Sequence, residues 1–278
     1  MHSDAPAGSD ASKELRVSRS TLAIAIILAA LAGCAAQVAD GQNRDRVTAS
    51  DQTDADRRAR LRMELASGYY SRGQLETALD EVKQALAVRP DLPEAYNLRA
   101  LIYEGLGDDR LAEDSYKHAL QLKPGDADTM HNYGWFLCQH KRIDESLGWF
   151  RQAIAVPKYP GMSRSLMTQG ICQARVNALA DADRSLSRAY ELEPSNPVVA
   201  VNLADVLYRR GELERARFYI GRVNSVQEYS NAQTLWLAAR IENKMGNVRG
   251  ARDLGRQLRA RFPQAPETQA FERGRYDD

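Results

Sequence analysis

The chain has 278 residues, in which 38 lysine and arginine residues balance 37 aspartate and glutamate residues to a formal net charge of +1. This near-neutral balance gives no reason to expect nucleic acid as a partner, because nucleic-acid-binding domains carry an excess of basic residues. No HExxH, CxxC or GxSxG motif marks a catalytic or metal site, so we expect neither an enzyme nor a bound cofactor.

The N-terminal region carries an apolar run, residues 21–33 (TLAIAIILAALAG), after several basic residues. The run is too short for a transmembrane helix, which needs about 20 apolar residues, and it matches the apolar core of a secretory signal peptide. The sequence LAGC at 31–34 resembles the lipobox of bacterial lipoproteins, in which the signal is removed before the cysteine and the cysteine is acylated. We therefore predict a signal peptide over residues 1–33 and lipidation of Cys34. The alternative is an uncleaved anchor helix with an incidental cysteine.

The segment after Cys34 is predicted to be a lipidated flexible tether over residues 34–56. It holds no aromatic residue and cannot bury enough apolar surface to offset the entropy of ordering it. The residue after the cysteine is Ala35 rather than aspartate, which by resemblance to enterobacterial sorting rules favours the outer membrane. The predicted location is thus a lipid anchor in the outer membrane, with the domain facing the periplasm.

Beyond residue 57, helical segments recur with a fixed period. Pro90 and Pro124 close two similar segments 34 residues apart, which is the length of a tetratricopeptide repeat (TPR). Residues 93–126 also match the large and small residues of that repeat on its two helices, here called helix A and helix B. This frame predicts repeats that start near residues 59, 93, 127, 163, 197 and 232.

A small residue recurs in every repeat where the two helices of a hairpin approach each other. A side chain larger than alanine at these positions would push the helices apart. On helix A the positions are Ala66, Ala100, Gly134, Gly170, Ala204 and Ala239, and on helix B they are Ala78, Ala112, Ser146, Ala182, Ala216 and Ala251. We therefore predict an all-α fold, a right-handed superhelical solenoid of six TPR helix hairpins over residues 57–264.

The repeat frame has two irregularities. Pro157 and Pro160 add about two residues between repeats 3 and 4 and predict a longer loop, since proline cannot continue a helix. In the last repeat, Gly255 stands where an aromatic residue usually packs, and terminal repeats are often atypical. Residues 265–278 are predicted to form a short C-terminal capping helix, near residues 266–273, and a tail.

The concave surface of such a solenoid is lined by helix A. The residues at positions that face this groove in TPR proteins generally are Met63, Tyr70, Asn97, His131, Trp135, Tyr208, Arg209, Trp236, Arg240 and Lys244. Aromatic residues and arginine often anchor protein interfaces, so this groove is expected to receive a protein partner. The alternative for Trp135 and Trp236 is that they fill space between neighbouring helices.

Two further cysteines, Cys138 and Cys172, fall on the helix A segments of adjacent repeats. Neighbouring helices pack about 8–10 Å apart, so the side chains can span the gap as a disulfide, which would persist in an oxidising periplasm. The alternative is two buried thiols that act as small apolar residues.

The stretch HNYGWFLCQHKRIDESLGWF (131–150), together with QGICQA (169–174), the lipobox and the six repeats, resembles the type IV pilus biogenesis and stability lipoproteins called PilF or PilW. This resemblance implies that Cys138 and Cys172 are disulfide partners. It also implies a pilotin, a lipoprotein that helps the outer-membrane secretin of the type IV pilus to localise or multimerise. The alternative function is a periplasmic TPR adaptor for cell-wall hydrolases or outer-membrane assembly factors.

Overall fold

The computed structural model describes residues 53–276, so the predicted signal peptide, Cys34 and most of the predicted tether lie outside the described residues. Within this range the chain is all helical. The thirteen helices of the described residues are α1 Asp54–Ser71, α2 Leu75–Val88, α3 Pro93–Leu106, α4 Asp109–Leu122, α5 Ala127–Gln139, α6 Ile143–Ala155, α7 Met162–Arg175, α8 Leu179–Leu192, α9 Pro197–Arg210, α10 Leu213–Asn224, α11 Ala232–Lys244, α12 Val248–Arg261 and α13 Pro266–Glu272.

The first twelve helices pack as six consecutive pairs, α1 with α2 through α11 with α12, and each pair packs on the next. The first helices of neighbouring pairs also contact each other along the stack. This is the predicted arrangement of six stacked TPR hairpins. None of the described helices combines the length and the hydropathy that crossing a membrane requires.

The small residues predicted at the helix contacts are all buried. Gly170 shows why they must be small: a Cβ atom there would lie 2.6 Å from Cγ of Leu186 and 3.2 Å from the carbonyl oxygen of Ala182. At Gly134 an added Cβ would meet the Phe150 ring at 3.2 Å. The close approach of helix A to helix B is therefore what selects these residues.

The first helix begins at Asp54, earlier than the repeat start predicted near residue 59. Thr53 caps it, since the Thr53 hydroxyl accepts a hydrogen bond from the Asp56 amide at 3.1 Å while the Asp56 carboxylate accepts one from the Thr53 amide at 3.3 Å. Such a reciprocal capping box stabilises a helix N-terminus. The last three residues assigned to the tether, 54–56, therefore belong to α1.

The turns inside the repeats use a left-handed residue after helix A. Four of them have glycine there with positive φ: Gly73, Gly107, Gly211 and Gly246. Repeats 3 and 4 place Lys141 (φ 62°) and Asn177 (φ 60°) at this point instead. The turn geometry is therefore kept where the sequence lacks the glycine that signals it.

Two connections between repeats are longer than the others, and the sequence predicts only one of them. Residues 156–161 connect α6 to α7 with two residues more than the connections 123–126 and 193–196, as Pro157 and Pro160 predict. Tyr159 of this loop is buried, and its hydroxyl donates to Asp128 Oδ1 at 3.1 Å. The connection 225–231 is longer still, although no comparable signal marks it in the repeat frame.

The C-terminal helix α13 packs against both α11 and α12 and ends the stack. Its Phe271 ring fills the space beside Gly255, where a Cβ atom would lie only 1.8 Å from Phe271 Cζ. The aromatic residue that the last repeat lacks in its own helix B is thus supplied by the capping helix.

Candidate functional site

Four of the predicted groove residues meet at the C-terminal end of the stack. Tyr208 lies on α9, whereas Trp236, Arg240 and Lys244 lie on α11. The Arg240 guanidinium carbon is 4.8 Å and the Lys244 ammonium nitrogen 4.7 Å from the centroid of the Tyr208 ring. These cation–π contacts join repeats 5 and 6 and concentrate positive charge beside aromatic surface.

Tyr276, the last residue that the structure describes, lies on this cluster. Its ring stacks on Trp236 with the ring centroids 5.3 Å apart. Its carbonyl oxygen accepts a hydrogen bond from Arg240 Nε at 2.9 Å and lies 3.5 Å from the Tyr208 hydroxyl. The protein's own chain therefore contacts three of the predicted groove residues, Tyr208, Trp236 and Arg240.

Two further groove predictions fall on residues that tie neighbouring repeats together. Arg209 Nη2 donates to the Ala174 carbonyl oxygen at 2.9 Å, which links repeat 5 to repeat 4. Asn132 Nδ2 donates to Asn97 Oδ1 at 3.1 Å, which links repeat 3 to repeat 2. In the folded chain these polar side chains hold the register of the stack.

His131 lies in the interior, only 7% exposed, and offers no open surface to a ligand. Its Nδ1 is 2.9 Å from the Ser165 hydroxyl, and the edge of its ring faces Phe150. Burial lowers the pKa of His131 to about 4, and the nearby Arg164 guanidinium acts in the same direction. The imidazole is therefore neutral at physiological pH and connects α5 with α7.

The structure joins Cys138 and Cys172 in a disulfide between α5 and α7, with the Cα atoms 6.0 Å apart. Both cysteines are buried and pack with Phe150, and Trp135 borders them as a half-buried residue. The Arg175 guanidinium carbon is 4.7 Å from the Trp135 ring centroid. Trp135 thus contributes both to the packing around the disulfide and to a cation–π contact between repeats 3 and 4.

The most exposed apolar surface of the first repeat lies on α1 and was not among the groove residues predicted from sequence. Leu61 and Leu65, one helical turn apart, are 53% and 46% exposed. They line a shallow depression together with Val88 of α2, whereas Met63 and Tyr70 turn inward against the core of repeats 1 and 2. Helix α1 therefore carries two apolar faces, and residues 53–276 cover only one of them.

A charged network between repeats 2 and 3 has a structural role. Burial raises the pKa of the Glu113 carboxyl, but hydrogen bonds from the side chains of Lys117, Tyr133 and Arg142 outweigh it and bring the pKa to about 2. Arg142 Nη1 lies 2.9 Å from Glu113 Oε2.

Within residues 53–276, no group of three or more histidine, cysteine, aspartate or glutamate residues is placed to hold a metal ion.

Comparisons with known proteins agree with the repeat architecture. Two tetratricopeptide-repeat family models match residues 67–107 and 93–126. The type IV pilus assembly protein PilF of Pseudomonas aeruginosa is 28% identical over 210 residues, which cover 76% of this chain and 83% of that protein.

Solved structures are also similar to this chain over most of its length. The crystal structure of PilW, described as a widely conserved type IV pilus biogenesis factor, is 31% identical, has a TM-score of 0.70 and covers 76% of this chain and 97% of its own. The structure of Pseudomonas aeruginosa PilF is 27% identical, has a TM-score of 0.70 and covers 80% of this chain and all of its own. MamA of Desulfovibrio magneticus, at 19% identity and a TM-score of 0.54, shares the fold alone.

Proposed function

Because the chain belongs to the PilF/PilW family of type IV pilus biogenesis proteins, we propose that it is a pilotin, an outer-membrane lipoprotein that binds the type IV pilus secretin. In this role it helps the secretin to reach the outer membrane and to form multimers, and so supports pilus assembly. The TPR fold supports a binding function without catalysis, since stacked repeats present extended surfaces to protein partners. The membrane attachment rests on the lipobox at Cys34, which lies outside the described residues.

The observation that carries the binding role is the apolar face of α1, which no residue of the described range covers. Leu61 and Leu65 expose large aliphatic side chains beside Arg58 and Arg62. An apolar face rimmed by polar residues marks a site of protein interaction more often than scattered single residues do. We propose that an apolar segment of the secretin covers this face and that the flanking arginines set its orientation.

The test replaces both leucines by glutamate in the full-length protein, Leu61→Glu with Leu65→Glu, and measures secretin multimers in outer-membrane fractions. We expect the multimers to be lost, because two buried carboxylates would oppose the apolar contact. The matched control is Val198→Glu, since Val198 on α9 is 52% exposed and lies far along the stack. Normal multimers with the doubly substituted protein would rule out this face as the secretin site.

Deletion of the gene tests the broader role. A pilotin predicts monomeric or mislocalised secretin after deletion. Normal secretin multimers together with disturbed cell-wall processing would instead identify a periplasmic adaptor for cell-wall hydrolases or outer-membrane assembly factors.

The lipid anchor is tested separately with Cys34→Ser. We expect the variant to leave the membrane fraction while its helical circular dichroism and thermal unfolding stay unchanged. A variant that remains membrane-bound after washing at high salt would contradict lipidation at Cys34, because electrostatic attachment is screened under those conditions.

A further inference from the structure

The C-terminal segment reverses its direction after the capping helix and returns to the face of α11 that carries Trp236 and Arg240. Gly274 adopts a positive φ of 66°, and the amide of Arg275 donates to the Ala270 carbonyl oxygen at 3.0 Å. A left-handed glycine of this kind ends a helix and turns the chain back. This turn is what brings Tyr276 onto Trp236.

The contacts that hold Tyr276 are those a peptide ligand would make. Trp236 stacks on the tyrosine ring, with Phe271 bordering it at 6.1 Å between ring centroids. Arg240 binds a main-chain carbonyl oxygen rather than a side chain. Any peptide with an aromatic residue can offer the same ring and the same carbonyl, so the site does not depend on this chain's own segment.

The charge around the site defines the rest of the ligand. Arg240 and Lys244 both lie against the Tyr208 ring, and the Lys244 side chain is exposed to solvent. In the sequence, Tyr276 is followed by Asp277 and Asp278, whose positions lie outside the described residues. Cationic side chains beside an aromatic surface favour a partner that is acidic next to its aromatic residue.

We propose that the face of repeats 5 and 6 that carries Trp236 and Arg240 is a peptide-binding site for a partner segment with an aromatic residue next to acidic residues, and that the chain's own segment 274–276 competes with this partner for the site. The site lies at the opposite end of the stack from the Leu61 face and goes beyond the secretin-binding role. A tethered segment acts at an effective concentration in the millimolar range. The site is therefore free in only a fraction of the molecules. The apparent affinity for a partner is reduced in proportion to that fraction.

Binding of a fluorescein-labelled peptide, Gly-Arg-Tyr-Asp-Asp, to the full chain in detergent tests this proposal by fluorescence anisotropy. The peptide copies residues 274–278. We expect Tyr276→Ala to bind it about tenfold more tightly than the unmodified protein, because the internal competitor is weakened. Tyr276→Phe is the matched control, since it keeps both the ring and the carbonyl group, and it should bind the peptide as the unmodified protein does.

A second pair of variants locates the binding. Adding Arg240→Gln to Tyr276→Ala should remove the gain in peptide affinity, because the donor to the peptide carbonyl is lost. Adding Arg210→Gln, on α9, to Tyr276→Ala should leave the gain in place. A peptide with alanine in place of tyrosine should not bind. Equal affinity of the unmodified protein and Tyr276→Ala would overturn the proposal, as would a gain that survives Arg240→Gln. The secretin multimer assay with the Leu61 and Leu65 variants is independent of either result.

Discussion

The packing of the capping helix α13 against Gly255 predicts that Gly255→Ala destabilises the protein. Replacing this glycine by alanine would place a Cβ atom 1.8, 2.2 and 2.3 Å from Cζ, Cε1 and Cε2 of Phe271. Carbon atoms that are not bonded to each other attract each other best at about 3.5–4.0 Å, so distances near 2 Å are strongly repulsive. The methyl group and the ring therefore cannot both keep these positions, and we expect the Phe271 ring to leave its site.

Two opposing effects set the size of the change. Alanine in a helix interior is favoured over glycine by about 1 kcal/mol. Displacing Phe271, which is 9% exposed, costs about 2–3 kcal/mol of buried aromatic surface. The packing loss exceeds the helix propensity gain, so we expect Gly255→Ala to lower the free energy of unfolding by about 1–2 kcal/mol.

Urea unfolding followed by circular dichroism measures this change. Gly221→Ala on α10 is the matched control, because a Cβ atom at that position meets nothing within 4 Å, and the variant should be more stable by up to about 1 kcal/mol. In the background of Phe271→Ala, the substitution Gly255→Ala should become stabilising, since the ring that it displaces is absent. A stabilising effect of Gly255→Ala while Phe271 is present would refute the reasoning.

Three further predictions concern the middle of the stack. Replacing Cys138 and Cys172 by serine opens a loop of sequence separation 34 and should lower the free energy of unfolding by about 4 kcal/mol in the chain-entropy account; reductant should destabilise only the unmodified protein. The pKa of His131 is about 4 in the folded chain against 6.5 as its usual value, so the unfolded state binds more protons between these values. Stability should therefore fall as the pH drops from 6.5 to 4, by about 3 kcal/mol at most, and His131→Gln should flatten this dependence in denaturant titrations. Lys141→Gly should raise the thermal midpoint, because the left-handed backbone at φ 62° costs a non-glycine residue about 1 kcal/mol.

The regular part of the fold is predictable because every repeat has small residues at the same positions of its two helices. The small residues at positions such as Ala100 and Ala112 are fixed by contact between two helices that are close in sequence, so their spacing is visible without a structure. The glycine turns are visible for the same reason. Lys141 and Asn177 show the limit, since the packing of the hairpin imposes the left-handed turn there without a sequence signal.

Contacts between repeats are harder to predict from sequence than contacts within them. His131 shares the repeat position of residues on the groove side, but Ser165 of the next repeat and the Phe150 ring enclose it. The register of one hairpin on the next decides whether such a residue is covered, and this register varies with the loop between them. The loop 156–161, with Tyr159 packed inside, is the irregular connection at this place.

The two ends of the described stack differ in a way that the repeat pattern does not contain. At the C-terminal end, α13 supplies Phe271 to the gap at Gly255 and the segment after it places Tyr276 on the groove. At the N-terminal end, no described element covers the outer face of α1, whose second apolar face would have been visible in the spacing of Leu61 and Leu65. Stacked repeats need a polar or covered surface at each end to remain soluble. Among the described residues, the apolar face of α1 is left open while the chain's own residues cover the other end, and this contrast is the reason for proposing a partner at α1.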